Sequence, residues 1–289
     1  MALGGAGVVI IVVAVIIAVS LSGGTTKPKT SAGLVTGEYD VPANLVAQVE
    51  GVPVKTLVAA ALADRSLSSP PQALPAGTKA LTSGGKPEVL YIGAEYCPFC
   101  AAERWAMVMA FSKFGTFSGL HGTSSSATDT NPSTPTFAFY NSTFTSKYLA
   151  FVPVETELNT EASLQTPTSA QEALITKWDV APYTDENGAI PFIFMDGKYL
   201  QIGAQYGPDS GSPLSGMQFT KAVTYMTSGS NDMSKGALAS AGYLVGDLCA
   251  LTHGQPGSVC SQVPKSLIGV TTTSQSSGKS SSTTAGKKS

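Results

Sequence analysis

Charge is scarce in this chain. Asp, Glu, Lys and Arg together make up 12% of its 289 residues, and the formal net charge is −2. A nucleic-acid surface needs clustered cations facing the phosphates, so nucleic acid is not expected as a partner. Histidine is scarcer still, with only His121 and His253, and there are four cysteines, Cys97, Cys100, Cys249 and Cys260. Structural zinc sites draw four ligands from closely spaced Cys and His pairs. No histidine stands at ligand spacing from Cys97 or Cys100, and Cys249 and Cys260 are too far apart to make a second C-x-x-C. Neither a metal nor a cofactor is expected.

No charged residue occurs from Met1 to Ser22, and residues 8–21 are almost wholly Val, Ile, Ala and Leu. A helix over this stretch rises about 31 Å, enough to cross a hydrocarbon core of about 30 Å. Ala18-Val19-Ser20 would serve as the cleavage site of a signal peptide, but the basic N-terminal region of such peptides is missing. The reading is a transmembrane anchor at residues 1–22. Lys27 and Lys29 follow the span and no cation precedes it, which by the positive-inside rule favours a cytoplasmic domain. Four cysteines in two pairs favour an oxidising exterior, and Asn141-Ser142-Thr143 is a glycosylation sequon. The expectation is a single-pass cell-membrane protein with its main domain outside the cytoplasm. Segments rich in Ser, Thr, Gly and Lys bury too little apolar surface to fold, which gives a flexible linker at 23–40, a domain at 41–265 and a disordered tail at 266–289.

The chemistry concentrates at Cys97-Pro98-Phe99-Cys100. It stands where an apolar strand-like run, 89–94, passes into an apolar helix-like run that Gly115 should stop. At a helix N-terminus the unpaired N–H groups and the dipole favour a thiolate, the nucleophile in disulfide exchange. Pro98 suits the first helical turn. Half a zinc knuckle and a simple structural disulfide are the rival readings of four such residues. Glu103, Arg104 and Lys113 should give the helix a thin polar cover. Glu95 is given no catalytic role, and Tyr96 and Phe99 either contact a substrate or pack in the core.

Residues 41–63 read as two short helices broken at 51–53. A polar loop at 119–136 holds His121, expected to be exposed, and strands at 136–140 and 148–155 should pair through a hairpin at 141–147. Ser169-Ala170-Gln171-Glu172 has the form of a capping box. Ile190 to Met195 reads as a strand, Asp196-Gly197 is a tight-turn dipeptide, and Lys198 to Ile202 is the returning strand. Two helices should follow, at 215–226 and 233–250. Cys249 and Cys260 read as a structural disulfide, worth about 3 kcal/mol by loop closure, with a redox relay as the lesser alternative. His253 beside them reads as a loop residue.

The order strand, C-P-x-C, helix, strand, helix, Ile-Pro, hairpin, helix resembles the thioredoxin fold over residues 88–226. The class so implied is α/β, a mixed sheet flanked by helices, with insertions and an N-terminal transmembrane helix. The resemblance implies that Pro191 is a cis-proline beside the redox pair and that the Ile190 backbone receives an extended substrate. It also implies that Cys97 attacks and Cys100 resolves the mixed disulfide. Phe99 is similar to the aromatic residue of glutaredoxin's C-P-Y-C. More closely, Tyr91 to Ala101, Phe151 to Glu155 and Cys249 to Gly254 resemble a prokaryotic family catalogued as domain of unknown function 929. The function expected is a thiol-disulfide oxidoreductase whose partners are protein thiols or disulfides, anchored to the membrane by its N-terminal helix. The alternative is a non-catalytic envelope protein in which Cys97 and Cys100 only staple the domain.

Overall fold

The computed structural model describes residues 34–269 apart from 65, 66, 68 and 208–211. The anchor expected at 1–22 and most of the tail expected at 266–289 lie outside the described residues. In chain order the elements begin with β1 (Tyr39–Asp40), α1 (Ala43–Glu50), α2 (Val54–Ala63), β2 (Gln72–Ala73), β3 (Thr82–Ser83), β4 (Lys86–Gly93) and α3 (Pro98–Phe111). Next come β5 (Thr116–Ser118), β6 (His121–Ser124), β7 (Pro135–Ala138), β8 (Thr143–Thr145), β9 (Ala150–Glu155) and α4 (Ser169–Trp178). The last are β10 (Phe192–Met195), β11 (Tyr199–Ile202), α5 (Phe219–Thr227), α6 (Asp232–Leu251), α7 (Gly257–Cys260) and a 3-10 turn (Lys265–Leu267).

This is a mixed α/β fold. Its main sheet runs β2-β11-β10-β4-β3, with β9 also pairing β4. β4 is parallel to β9 and antiparallel to β10, and β10 turns back into β11 through Asp196 and Gly197, both at positive φ. Side chains alternate between the two faces of a strand. Val89 and Tyr91 of β4, with Ile193 and Met195 of β10, join the larger core under the helices. Leu90 and Ile92, with Phe192 and Phe194, join a second core that Trp178 of α4 helps to close. Both faces are covered, which is why β4 and β10 read as nearly continuous apolar runs.

α3 packs against α6 on one side and β7 on another, and of its fourteen residues only Phe99 is not buried. Glu103 and Arg104 are therefore core residues, not the polar cover expected of them. α2 and α6 approach closely. A Cβ at Gly242 would overlap the Leu57 carbonyl oxygen, and one at Gly246 would overlap the Leu267 carbonyl oxygen. Backbone does not move aside cheaply, so Gly242→Ala should destabilise the chain by about 1–3 kcal/mol, read as a lower denaturation midpoint in urea.

Several local expectations give way to long-range packing. The hairpin at 141–147 does not form: β7 pairs β6, β8 pairs β5 and β9 pairs β4. The Phe144 ring on β8 lies 4.9 Å from that of Phe117 on β5, within an aromatic cluster that also holds Phe111 of α3 and Phe151 of β9. His121 is buried in β6 opposite Ala138, with Nδ1 3.8 Å from Asp40 Oδ1. The end of the expected linker is built into the fold, since β1 pairs β6 and Tyr39 meets the Phe219 ring edge at 5.8 Å. At the other end Leu267, placed in the tail by composition, is buried. The capping box of α4 lies one residue earlier than expected: Thr168 accepts from the Gln171 N–H, and the Gln171 side chain accepts from the Thr168 N–H. Glu172 then sits in the first turn, where the helix dipole favours an anion.

Among the described residues no single helix is long and apolar enough to cross a membrane. α1 and α2 satisfy length and composition only together, as a pair bent by 54°. Both lend side chains to the larger core.

Candidate functional site

β4 ends at Gly93, and three residues later the chain enters α3 with Cys97 as its N-cap. The Cys97 sulfur accepts a hydrogen bond from the Cys100 N–H at 3.3 Å, one of the donors a helix leaves unpaired at its start. Pro98 fills the first helical position, where a missing N–H leaves no bond unmade. Both thiols are free. Cys97 retains 5% exposure and Cys100 none.

The loop before β10 completes this corner. The Cys97 thiol lies 3.8 Å from the Ile190 carbonyl oxygen, to which it donates, and the Ile190–Pro191 peptide is cis. Residues distant in sequence thus meet at one sulfur. Phe99 points outward at 44% exposure, so of its two expected roles core packing is ruled out, while Tyr96 is half-buried.

The two thiols differ in acidity. Cys97 is drawn below the ordinary thiol range, first by a hydrogen bond with the Cys100 thiol, then by the Cys100 and Phe99 N–H groups and the Arg104 charge, against the opposing effect of burial. Cys100 is pushed well above that range, first by burial and then by Cys97. Such an arrangement supplies one nucleophilic sulfur near the surface and one reserved thiol beneath it.

Behind Cys100 lies a polar cluster that sequence reasoning missed. Arg104 donates from Nε and Nη2 to the Glu155 carboxylate at 2.9 and 2.7 Å, and from Nη2 to the Ala94 carbonyl at 2.7 Å, with both side chains fully buried. Glu95 is buried as well. Its Oε2 accepts from Thr123 Oγ1 at 2.9 Å, and its Oε1 has no hydrogen-bond partner. Tyr91 stands across from Arg104, its ring centroid 5.9 Å from the guanidinium carbon. The Tyr91 hydroxyl occupies the space a side chain at residue 93 would need, since a Cβ at Gly93 would overlap it. One signal was available in the sequence: Arg104 follows Cys100 by four positions, which places them on one helix face.

Burial pushes the Glu95 carboxyl up to about 8, against the lowering effects of Arg104 and Thr123. A carboxyl raised on folding stabilises the fold below its unfolded range, and that contribution is lost as pH rises through about 8. The melting temperature should therefore fall between about pH 5 and about pH 9, and fall less steeply in Glu95→Gln, as calorimetry across that range would show.

The remaining cysteines form a disulfide between α6 and α7, with Cα atoms 5.6 Å apart and both residues buried. Among the described residues no three His, Cys, Asp or Glu side chains are grouped so as to hold a metal ion.

A dithiol at the head of a buried helix, beneath a carbonyl from a neighbouring hairpin, defines the site. Residues 74–241 match the family described as a domain of unknown function (DUF929), and the chain belongs to that family. The matched stretch contains Cys97, Cys100, Ile190 and Pro191 and ends before the Cys249–Cys260 disulfide. No curated protein and no solved structure matches the chain.

Proposed function

We propose that this protein is a thioredoxin-like thiol-disulfide oxidoreductase that cycles Cys97 and Cys100 between dithiol and disulfide. The observation that carries the reading is the asymmetry of the two sulfurs at one helix N-terminus: Cys97 is lowered, capped by a backbone N–H and set against the Ile190 carbonyl, while Cys100 is raised and sealed below it. The order β4, α3, β9, α4, β10, β11, with β4 between β9 and β10, supports the thioredoxin-like assignment. Cys97 attacks a substrate disulfide and Cys100 releases the product. The Ile190 backbone pairs with an extended substrate segment, and the exposed Phe99 ring offers it apolar contact. Partners are proteins bearing thiols or disulfides. The domain at 41–265 works outside the cytoplasm, held to the cell membrane by the span at 1–22.

One observation favours the stapling alternative, namely the burial of both sulfurs. Reduction of insulin by the full chain, with dithiothreitol as electron source, decides between them. Insulin should precipitate faster with the parent chain than with dithiothreitol alone. A rate equal to that background would remove the catalytic reading.

A further inference from the structure

We propose that Arg104 is a positioning residue for the resolving step: its guanidinium, held in the core by Glu155, balances the negative charge that Cys100 acquires when it attacks the mixed disulfide on Cys97. This rests on the redox reading and assigns that site a third member.

The geometry makes the case. A fully buried thiol has no water to stabilise its thiolate, so a cation inside the protein favours the form of Cys100 that resolves. Arg104 lies one helical turn further along α3, fully buried. Its fork is only partly used: Nε and Nη2 are taken up by Glu155 and Ala94, whereas Nη1 has no hydrogen-bond partner. A buried, unpartnered donor on a cation asks for an acceptor that is present for part of a cycle. The Tyr91 hydroxyl of β4, also without a partner of good geometry, lies against the Cys100 thiol. The titratable and charged groups around Cys100 are thus Cys97 and Arg104 on its own helix, Tyr96 in the turn before it and Tyr91 on β4, while Glu155 of β9 and Glu95 act on the guanidinium. Glu103 is engaged elsewhere, by the Gln205 N–H and the Ser240 hydroxyl.

The chemistry balances within the site. The Cys97 thiolate attacks a substrate disulfide, forming a bond to one substrate sulfur and expelling the other as a thiolate. Cys100 then gives up its proton and attacks the Cys97 sulfur. The bond between Cys97 and the substrate breaks, and the departing substrate thiolate takes up the proton. Two electrons pass from the dithiol to the substrate.

Ellman's reagent separates the two steps in the full chain, because Cys97 and Cys100 are its only free thiols. Attack by Cys97 releases one coloured thiolate, and resolution by Cys100 releases the second. In Arg104→Met/Glu155→Met, which replaces the ion pair by apolar side chains of similar size, the second phase should slow about tenfold at neutral pH. Its pH midpoint should rise by about one unit or more. In Glu155→Gln the guanidinium loses its counter-charge, and the midpoint should move down. A merely structural role would not give shifts of opposite sign. A folded double variant with the parent's second phase and midpoint, or shifts of the same sign in both variants, would overturn the role of Arg104. A parent chain that shows no second phase would instead overturn the redox reading itself.

Discussion

Cys100→Ser should accumulate a stable mixed disulfide with a peptide disulfide substrate, and Cys97→Ser should accumulate none. The expectation follows from where the two sulfurs sit. Cys97 is the helix cap, lowered in acidity and retaining some surface, so it meets the substrate first. Cys100 is sealed and raised, so without Cys97 it has neither access nor thiolate character. Serine at 100 leaves the cap and the Ile190 contact in place but removes the sulfur that would release the product. Non-reducing electrophoresis and mass spectrometry of the adduct would read the result, and both variants should lose turnover to the uncatalysed background. Equal trapping by the two variants would mean that the sulfurs are interchangeable, contrary to the asymmetry described above.

The second large effect is on stability. Arg104→Met alone should destabilise the chain by about 3–5 kcal/mol, because it leaves Glu155 charged and unpaired in the core. In a domain of this size that is a fall of roughly 10 °C in melting temperature. Arg104→Met combined with Glu155→Met should recover most of the loss, since a buried ion pair gains little over apolar side chains of the same volume. Calorimetry on the single and double variants measures the difference directly.

What was legible in the sequence is what local chemistry determines. The strand before Cys97, the helix after Pro98 and the Asp196-Gly197 hairpin each follow from a short run of residues with one periodicity and one stop. Their order resembles the thioredoxin fold, and it is that resemblance, not local chemistry, which implies that Pro191 stands beside Cys97. The Cys249–Cys260 pairing was also accessible, because a short turn-rich loop leaves the sulfurs little choice.

What was missed depends on partners far away in the chain. Glu103 and Arg104 look like a polar helix face until Ser240 of α6 and Glu155 of β9 become their partners. Glu95 looks like a loop charge until Thr123, on a strand mistaken for loop, closes over it. His121 was misjudged for the same reason, since composition of the 119–136 segment suggests solvent while its pairing with β1 and β7 buries it. The failed 141–147 hairpin shows a local preference overruled by other strand partners, β6 for β7 and β4 for β9.

The central claim is that Cys97 and Cys100 form and break a disulfide reversibly while Cys249–Cys260 stays closed. Equilibrating the full chain in glutathione buffers of graded potential, then alkylating and mapping each cysteine by mass spectrometry, tests it most directly. The account predicts one two-electron transition confined to Cys97 and Cys100, with Cys249 and Cys260 unlabelled throughout. Cys97 and Cys100 labelled as free thiols in every buffer, or a transition confined to Cys249 and Cys260, would contradict it.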